Sequence, residues 1–251
     1  MDPFMKPNIN FCEGKMQKNL MSNNIEELLN SFSSLIFCFF SLCLWHKLDK
    51  RFLQLSTPIA MNFIVGLGSF LFHSKGIRLF QFLDEIPMIL TISSGIIIYH
   101  EELHQQDKLK RIPYNFMQSL VCGLQTITII ANIYSKYFYI FEVLFMTFCI
   151  WICTLVYISS PPANKYYAKR TICLGFMGYG IWLIDQHYCN VYTTWFHFHM
   201  WWHIFIGIVV FNIMELYRLN ICNRKKIEYQ IKIFLGVILD VTIQKNGNEK
   251  L

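Results

Sequence analysis

The chain has 251 residues, of which 54% are hydrophobic and only 15% are charged, and its formal net charge is +6. Soluble domains carry about 25% charged residues, so this composition excludes an ordinary soluble protein. Several apolar stretches approach the ~20 residues that a helix needs to cross a bilayer. The sequence therefore predicts an all-α membrane protein with one helical domain.

Seven membrane-spanning helices are predicted, and in chain order they cover residues 28–46, 54–73, 79–100, 114–133, 138–158, 169–188 and 199–217. No secretory signal is recognised before the first span, which is expected to act as its own insertion signal. We divide the chain into an N-terminal lumenal cap (1–27), a seven-helix transmembrane domain (28–217) and a basic cytosolic tail (218–251). Within the tail, the apolar residues 231–239 are too few to span and are expected at the membrane surface, followed by a disordered end.

Positive charge predicts the orientation of this bundle. With seven spans, the side of the N-terminus holds six of the 22 lysines and arginines, and the opposite side holds the remaining 16. The positive-inside rule then places the C-terminus in the cytosol and the N-terminus outside the cell or in a lumen. The endoplasmic reticulum, the Golgi and the plasma membrane all fit this orientation. Basic loops that face anionic lipid explain the net charge, so no nucleic-acid partner is predicted.

Polar and ionisable residues interrupt the apolar segments at a few places, where they are costly unless paired or ligated. In the predicted topology, spans 2 and 6 end on the side of the N-terminus, and spans 3 and 7 begin there. These residues therefore meet at one end of the bundle, although they are far apart in sequence. They are Ser69, His73, Asp84, Asp185, His199 and His203.

Their spacing points to a metal centre. His199 and His203 are four residues apart, so they share one helix face and can hold one ion, and Ser69 and His73 repeat that spacing. Three imidazoles with an open fourth position are typical of catalytic zinc, which generates a nucleophile from water. A nearby carboxylate can move protons and a serine can donate to an oxyanion. The histidine pair alone is equally compatible with haem or with packing in an aromatic belt.

The motifs that contain these residues resemble those of the alkaline ceramidases. GLGSFLFH followed by QFLDEIPMI is similar to one family pattern, and WLIDQHYC followed by FHMWWH to a second. An N-terminal match, NFCEG and then IEELLNSFSSLI, extends the resemblance over roughly residues 8–240. The wider superfamily, which includes the progestin and adiponectin receptors, shares only the sparse skeleton of serine, histidine and aspartate.

The resemblance implies a seven-span amidase that hydrolyses ceramide to sphingosine and a free fatty acid. It implies that His73, His199 and His203 hold zinc, and that Asp84 polarises the attacking water and passes its proton to the leaving amine. Ser69 is then expected to stabilise the oxyanion, and Asp185 to orient a ligand imidazole. Ceramide is expected to enter sideways from the surrounding membrane lipids.

The N-terminal segment departs from the calcium loop of the family. Asn10, Phe11, Glu13 and Glu27 occupy ligand positions, but Asn10 removes a negative charge and Lys15 replaces an oxygen ligand with a cation. Calcium prefers six to eight oxygen ligands. We therefore expect weak or absent calcium binding, with Lys15 standing in for the charge of the ion or Asn19 completing the site.

Cysteine placement separates two positions from the rest. In the predicted topology, only Cys12 and Cys189 of the nine cysteines lie on the non-cytosolic side. An oxidising lumen permits a disulfide there, and the resemblance pairs these two positions.

Two functions from other classes stay open at the level of sequence. A seven-span sphingolipid receptor or a catalytically silent relative would keep the lipid site without turnover. A haem protein with two histidine ligands would leave Ser69 and Asp84 without a role.

Overall fold

The computed structural model describes residues 6–9, 11–16, 25–109, 112–135, 137–189 and 196–244. Seven long helices dominate this part of the chain. A short helix, Cys12–Met16 (α1), precedes them, and an antiparallel hairpin follows. The long helices are Leu28–His46 (α2), Ser56–Lys75 (α3), Arg78–Gln105 (α4), Tyr114–Tyr134 (α5), Phe138–Ser159 (α6), Lys165–His187 (α7) and Phe198–Lys225 (α8), and the strands are Tyr229–Phe234 (β1) and Ile238–Ile243 (β2).

Each of the seven predicted segments coincides with one long helix. Among the described residues, six of these helices are long and apolar enough to cross a membrane, so the chain is a predominantly helical membrane protein. The exception is α7, which has 23 residues but carries Lys165, Lys169, Arg170 and Asp185. Two helices run well beyond the predicted ends, since α4 reaches Gln105 and α8 reaches Lys225.

Apolar side chains lie outside and polar side chains inside the bundle, as expected for a protein that is surrounded by lipid. Large apolar side chains cover the outer surface, among them Phe116 on α5 and Val143 on α6, which are 60% and 61% exposed. Polar side chains such as Ser34 and Asn62 are buried between helices, and Asn62 donates to the Phe37 carbonyl and to Ser41. Lipid offers polar groups no hydrogen bonds, so they find partners inside the bundle.

Two glycines allow α3 and α4 to pack closely against each other. Gly76 ends α3 with a left-handed backbone (φ 57°), so that α4 begins only two residues later. At Gly68 the backbones of the two helices meet, because any side chain there would overlap the carbonyl of Leu83. This contact brings Ser69 on α3 to the level of Asp84 on α4.

The end of the chain differs from its prediction. A disordered tail was expected after residue 239, but Ile238–Ile243 is a strand that pairs with Tyr229–Phe234, with Phe234 opposite Ile238. The hairpin is held by α8, where the Asn212 side chain bonds the Val237 carbonyl and the Leu239 amide, each at 2.8 Å. Alternate residues of the second strand are buried against the helix. The apolar run 231–239, which was expected to be one surface segment, contains the turn of the hairpin and the adjoining parts of both strands.

Candidate metal centre

Three histidines from two helices meet inside the bundle. His73 lies in the last turn of α3, whereas His199 and His203 lie in the first two turns of α8. One ring nitrogen of each lies within 4.8 Å of those of the other two, and all three side chains are buried. The ring centroids are 4.6, 4.9 and 5.1 Å apart. Among the described residues, this is the only group of three or more potential ligands with that geometry.

Hydrogen bonds orient two of the three rings. His73 Nδ1 lies 2.6 Å from Glu27 Oε2, and a carboxylate can only accept, so Nδ1 carries the proton. His203 Nδ1 lies 2.8 Å from Ser33 Oγ, which itself donates to the Asn30 carbonyl. Ser33 therefore accepts from the ring. Both assignments, which follow from the bonding pattern, leave Nε2 available as a ligand.

The remaining nitrogens fit a metal ion. His73 Nε2 and His199 Nδ1 are buried, and neither has a hydrogen-bond partner among the described residues. Buried polar atoms are normally bonded, so unpartnered nitrogens within a cluster of three buried imidazoles call for a ligand. Three neutral imidazoles with room for a fourth ligand match the donor set of catalytic zinc.

Ser69 and Asp84 lie beside this cluster, as predicted. The Ser69 side chain is next to the Asp84 carboxyl, and both line a cavity that His199 and His203 also line. Ser69 is buried, whereas Asp84 is partly accessible from the cavity. The structure thus places a hydroxyl and a carboxyl at the histidine end of a mostly apolar cavity.

The N-terminal segment covers the histidines. The predicted disulfide between Cys12 and Cys189 is present, with a Cα–Cα distance of 5.3 Å, and it ties this segment to the end of α7. The Phe11 ring packs against the His199 ring at a tilt of 35°, with centroids 3.8 Å apart. Asp185 accepts the backbone N–H of Cys12, so this carboxylate links the segment to α7. Its predicted role in orienting an imidazole stays a prediction.

Two residues of the predicted calcium site have other partners here. Glu13 accepts the backbone N–H groups of Leu29 and Asn30, both at 2.9 Å, and so caps the first turn of α2. Glu27 bonds His73 and also accepts from the Asn30 side chain at 3.0 Å. Asn10, Asn19 and the side chain of Lys15 lie outside the described residues, so the calcium assignment stays a prediction.

Sequence reasoning missed Glu27 and Ser33 as partners of the histidines. A signal was available, because Glu27, Asn30, Ser31 and Ser34 form a polar stripe at helical spacing on an apolar helix. The amphipathic ring of Trp202 in the sequence favours an interfacial belt position, but the residue is buried and lines the cavity.

The fold and the site define an integral membrane protein with a histidine cluster, able to hold a metal ion, at one end of an apolar cavity. The family model described as Ceramidase matches residues 5–237. The chain belongs to the ceramidase family, which confirms the predicted membership, and we class it as a ceramide amidohydrolase.

Relatives from three kingdoms agree with this assignment. The chain is 29% identical to alkaline ceramidase YPC1 of Saccharomyces cerevisiae, over 92% of this chain and 83% of the relative. It is 22% identical to alkaline ceramidase of Drosophila melanogaster, over 83% and 75% of the two chains. The alkaline ceramidase of Arabidopsis thaliana is also 22% identical, over 79% and 77%.

Proposed function

We propose that the chain hydrolyses the amide bond of ceramide at a zinc centre held by His73, His199 and His203, and releases a sphingoid base and a fatty acid. The observation that carries this proposal is the convergence of unpartnered histidine nitrogens with Ser69 and Asp84 at one end of an apolar cavity. A lipid amide fits such a cavity because its chains are apolar and its reacting group is polar.

The protein residues divide the chemistry among them. Zinc in such a site supplies Lewis acidity toward a carbonyl and toward water. Asp84 takes a proton from the attacking water and delivers it to the amide nitrogen as the C–N bond breaks. Ser69 donates a hydrogen bond to the carbonyl oxygen as negative charge develops there.

Residues around the centre hold this geometry. Glu27 and Ser33 fix the rings of His73 and His203 through their Nδ1 atoms. Asp185 supports the centre from α7, where it holds the backbone of Cys12. Phe11 covers His199 and keeps bulk water from that side of the cluster.

We further propose that α7 spans the membrane as a seventh helix. Its cationic residues are confined to its first turns, at Lys165, Lys169 and Arg170, which suits a cytosolic end. Tyr179 and Trp182, further along the same helix, line the cavity. With seven spans, the N-terminal cap and the metal centre lie on the non-cytosolic side, in the endoplasmic reticulum, the Golgi or the plasma membrane. The cytosolic tail then begins after α8.

Substrate enters from the bilayer in this proposal. Ile150 on α6 and Phe176 on α7 line the cavity, yet they are 56% and 58% exposed on the outer surface. Residues that belong to both surfaces mark a lateral opening between α6 and α7. A ceramide can pass through it while its chains stay among lipid chains.

The proposal is tested with purified protein in detergent and a set of ceramides, by measuring the free sphingoid base. Release that stops when a strong chelator strips the protein, and returns with zinc, is the expected result. A sphingolipid receptor or silent relative would bind ceramide but release no base. The match to the Ceramidase family model over residues 5–237 and the similarity to alkaline ceramidases favour the enzyme.

A further inference from the structure

A carboxylate and a phenol face each other in the wall of the cavity. Glu142 lies in the second turn of α6, and the Tyr179 hydroxyl on α7 donates to its Oε1 atom at 3.1 Å. Both side chains are half-buried, and both line the cavity that contains Ser69 and Asp84. Neither was among the polar residues that the sequence singled out.

This pair is bonded differently from other polar residues of the wall. Asn62 and Thr91 are bonded within the protein, the first to Phe37 and Ser41 and the second to the Pro87 carbonyl. In the described part of the chain, the only hydrogen bond of Glu142 is the one from Tyr179. Its second carboxylate oxygen is therefore an unused acceptor in an apolar wall.

A carboxylate at membrane depth is expensive and is normally retained for a function. If the pair served only to join α6 to α7, two neutral groups would do so at a lower desolvation cost. The unused acceptor calls for a donor, and the ligand of this cavity is a lipid. Hydroxyl groups are the donors that ceramides carry on their chains.

Ring contacts connect the pair to the helix that carries two of the histidines. The Tyr179 ring stacks on Trp182 with centroids 5.9 Å apart, and Trp182 packs on Trp202 at 6.1 Å. Trp202 directly precedes the histidine cluster residue His203. The pair lies on α6 and α7, whereas Ser69, Asp84 and the three histidines lie on α3, α4 and α8, so we assign a group bound at the pair to a chain of the substrate.

We propose that Glu142 and Tyr179 form a hydroxyl-binding subsite that selects ceramides with a hydroxyl on a chain. The substrate hydroxyl donates to the free oxygen of Glu142, and the phenol oxygen of Tyr179 lies beside it as a second acceptor. The position of the pair at the α6–α7 opening lets it select substrates as they enter. This inference rests on the proposed function.

The test uses ceramides of equal chain lengths that differ by a single hydroxyl on the sphingoid chain or on the acyl chain. The wild type should prefer one hydroxylated ceramide by about tenfold or more in kcat/KM, the factor expected for a hydrogen bond to a charged group. Glu142→Leu and Tyr179→Phe should each reduce this ratio. Glu142→Gln keeps an acceptor and should retain part of it.

A matched control lies on the same helix. Thr147 is exposed, and its one hydrogen bond within the described part of the chain goes to the Val143 carbonyl, so Thr147→Val should leave both rates and their ratio unchanged. If Glu142→Leu lowers the thermal stability but leaves the ratio of kcat/KM between the two ceramides unchanged, the pair only joins two helices. That result would overturn the subsite. If Glu142→Leu does not fold, Tyr179→Phe decides in the same way. Equal turnover of all ceramides by the wild type would overturn the subsite alone, whereas turnover of none would overturn the proposed function too.

Discussion

Buried polar groups lie at both ends of the bundle, but they are arranged in opposite ways. At the cytosolic end in the proposed orientation, the Glu215 carboxylate accepts from Lys47 at 3.0 Å, from Arg218 at 2.7 Å and from the Val241 amide at 3.2 Å. At the other end, three histidine rings lie together, and His73 Nε2 and His199 Nδ1 have no hydrogen-bond partner among the described residues. The polar groups around Glu215 bond one another and hold the hairpin to α8. The histidine nitrogens need a bound ligand as their partner.

Convergence, not an unpartnered atom alone, marks the site. His100 is buried near the C-terminal end of α4, and neither ring nitrogen has a hydrogen bond among the described residues. It belongs to no group of potential metal ligands in that part of the chain. An unpartnered ring nitrogen therefore indicates a metal site only where other potential ligands lie close to it.

Removing a histidine of the centre should have the largest effect. His199→Ala and His203→Ala each leave two ligands, which should abolish zinc binding and all ceramide hydrolysis. Metal analysis of the purified variants measures the first, and release of sphingoid base the second. Full zinc occupancy in both variants would contradict the three-histidine site.

Changes to the catalytic pair should slow turnover but spare the metal. Ser69→Ala should lower kcat by about 10²–10³, as expected for the loss of one oxyanion donor. Asp84→Asn should lower it by about 10²–10⁴ through loss of proton transfer. Zinc content should equal that of the wild type. Wild-type kcat in either variant would remove that residue from the mechanism.

The orienting role of Glu27 can be measured through metal affinity. Glu27→Ala removes the acceptor from His73 Nδ1, and loss of such a partner typically weakens metal binding by about 10–100-fold. Zinc competition with a chelator of known affinity gives this number, and Glu27→Gln should recover part of it. Glu13→Gln, which alters the cap of α2 without touching a histidine, is the matched control.

Substitutions at the Glu215 end of the bundle should change the stability of the protein and not its catalytic rate. Glu215→Gln leaves Arg218 and Lys47 without their shared carboxylate, and breaking a buried ion pair costs about 3–5 kcal/mol. The thermal midpoint in detergent should fall, while zinc content and kcat of the folded protein stay the same. Glu228→Gln, on the exposed surface nearby, should change neither. Loss of zinc in Glu215→Gln would show that the two ends are coupled.

The smallest effect is expected from calcium. With Asn10 and Lys15 at ligand positions, a chelator selective for calcium over zinc should hardly change the rate of ceramide hydrolysis. The double substitution Asn10→Asp with Lys15→Asn should introduce stimulation by calcium. Strong calcium dependence of the unmodified protein would mean that another oxygen, such as that of Asn19, completes the site.

Structural features that depend on local sequence patterns could be predicted, whereas contacts between helices could be predicted only in part. The long helices followed from apolar length, and the histidine cluster followed from i, i+4 spacing together with the topology of the spans. The bonds from Glu27 to His73 and from Ser33 to His203 depend on how α2 is rotated against α3 and α8, which hydropathy does not encode. The hairpin was missed for a related reason, since its strands are stabilised by Asn212 and Glu215 on α8.

Zinc titration of the stripped enzyme tests the central claim most directly. Protein freed of metal by a chelator should be inactive on ceramide, and activity should return in proportion to added zinc until each chain holds a single ion. The variant His203→Ala should take up no zinc and recover no activity in the same titration. Full hydrolysis by metal-free protein, or equal recovery by the variant, would contradict a zinc centre held by His73, His199 and His203.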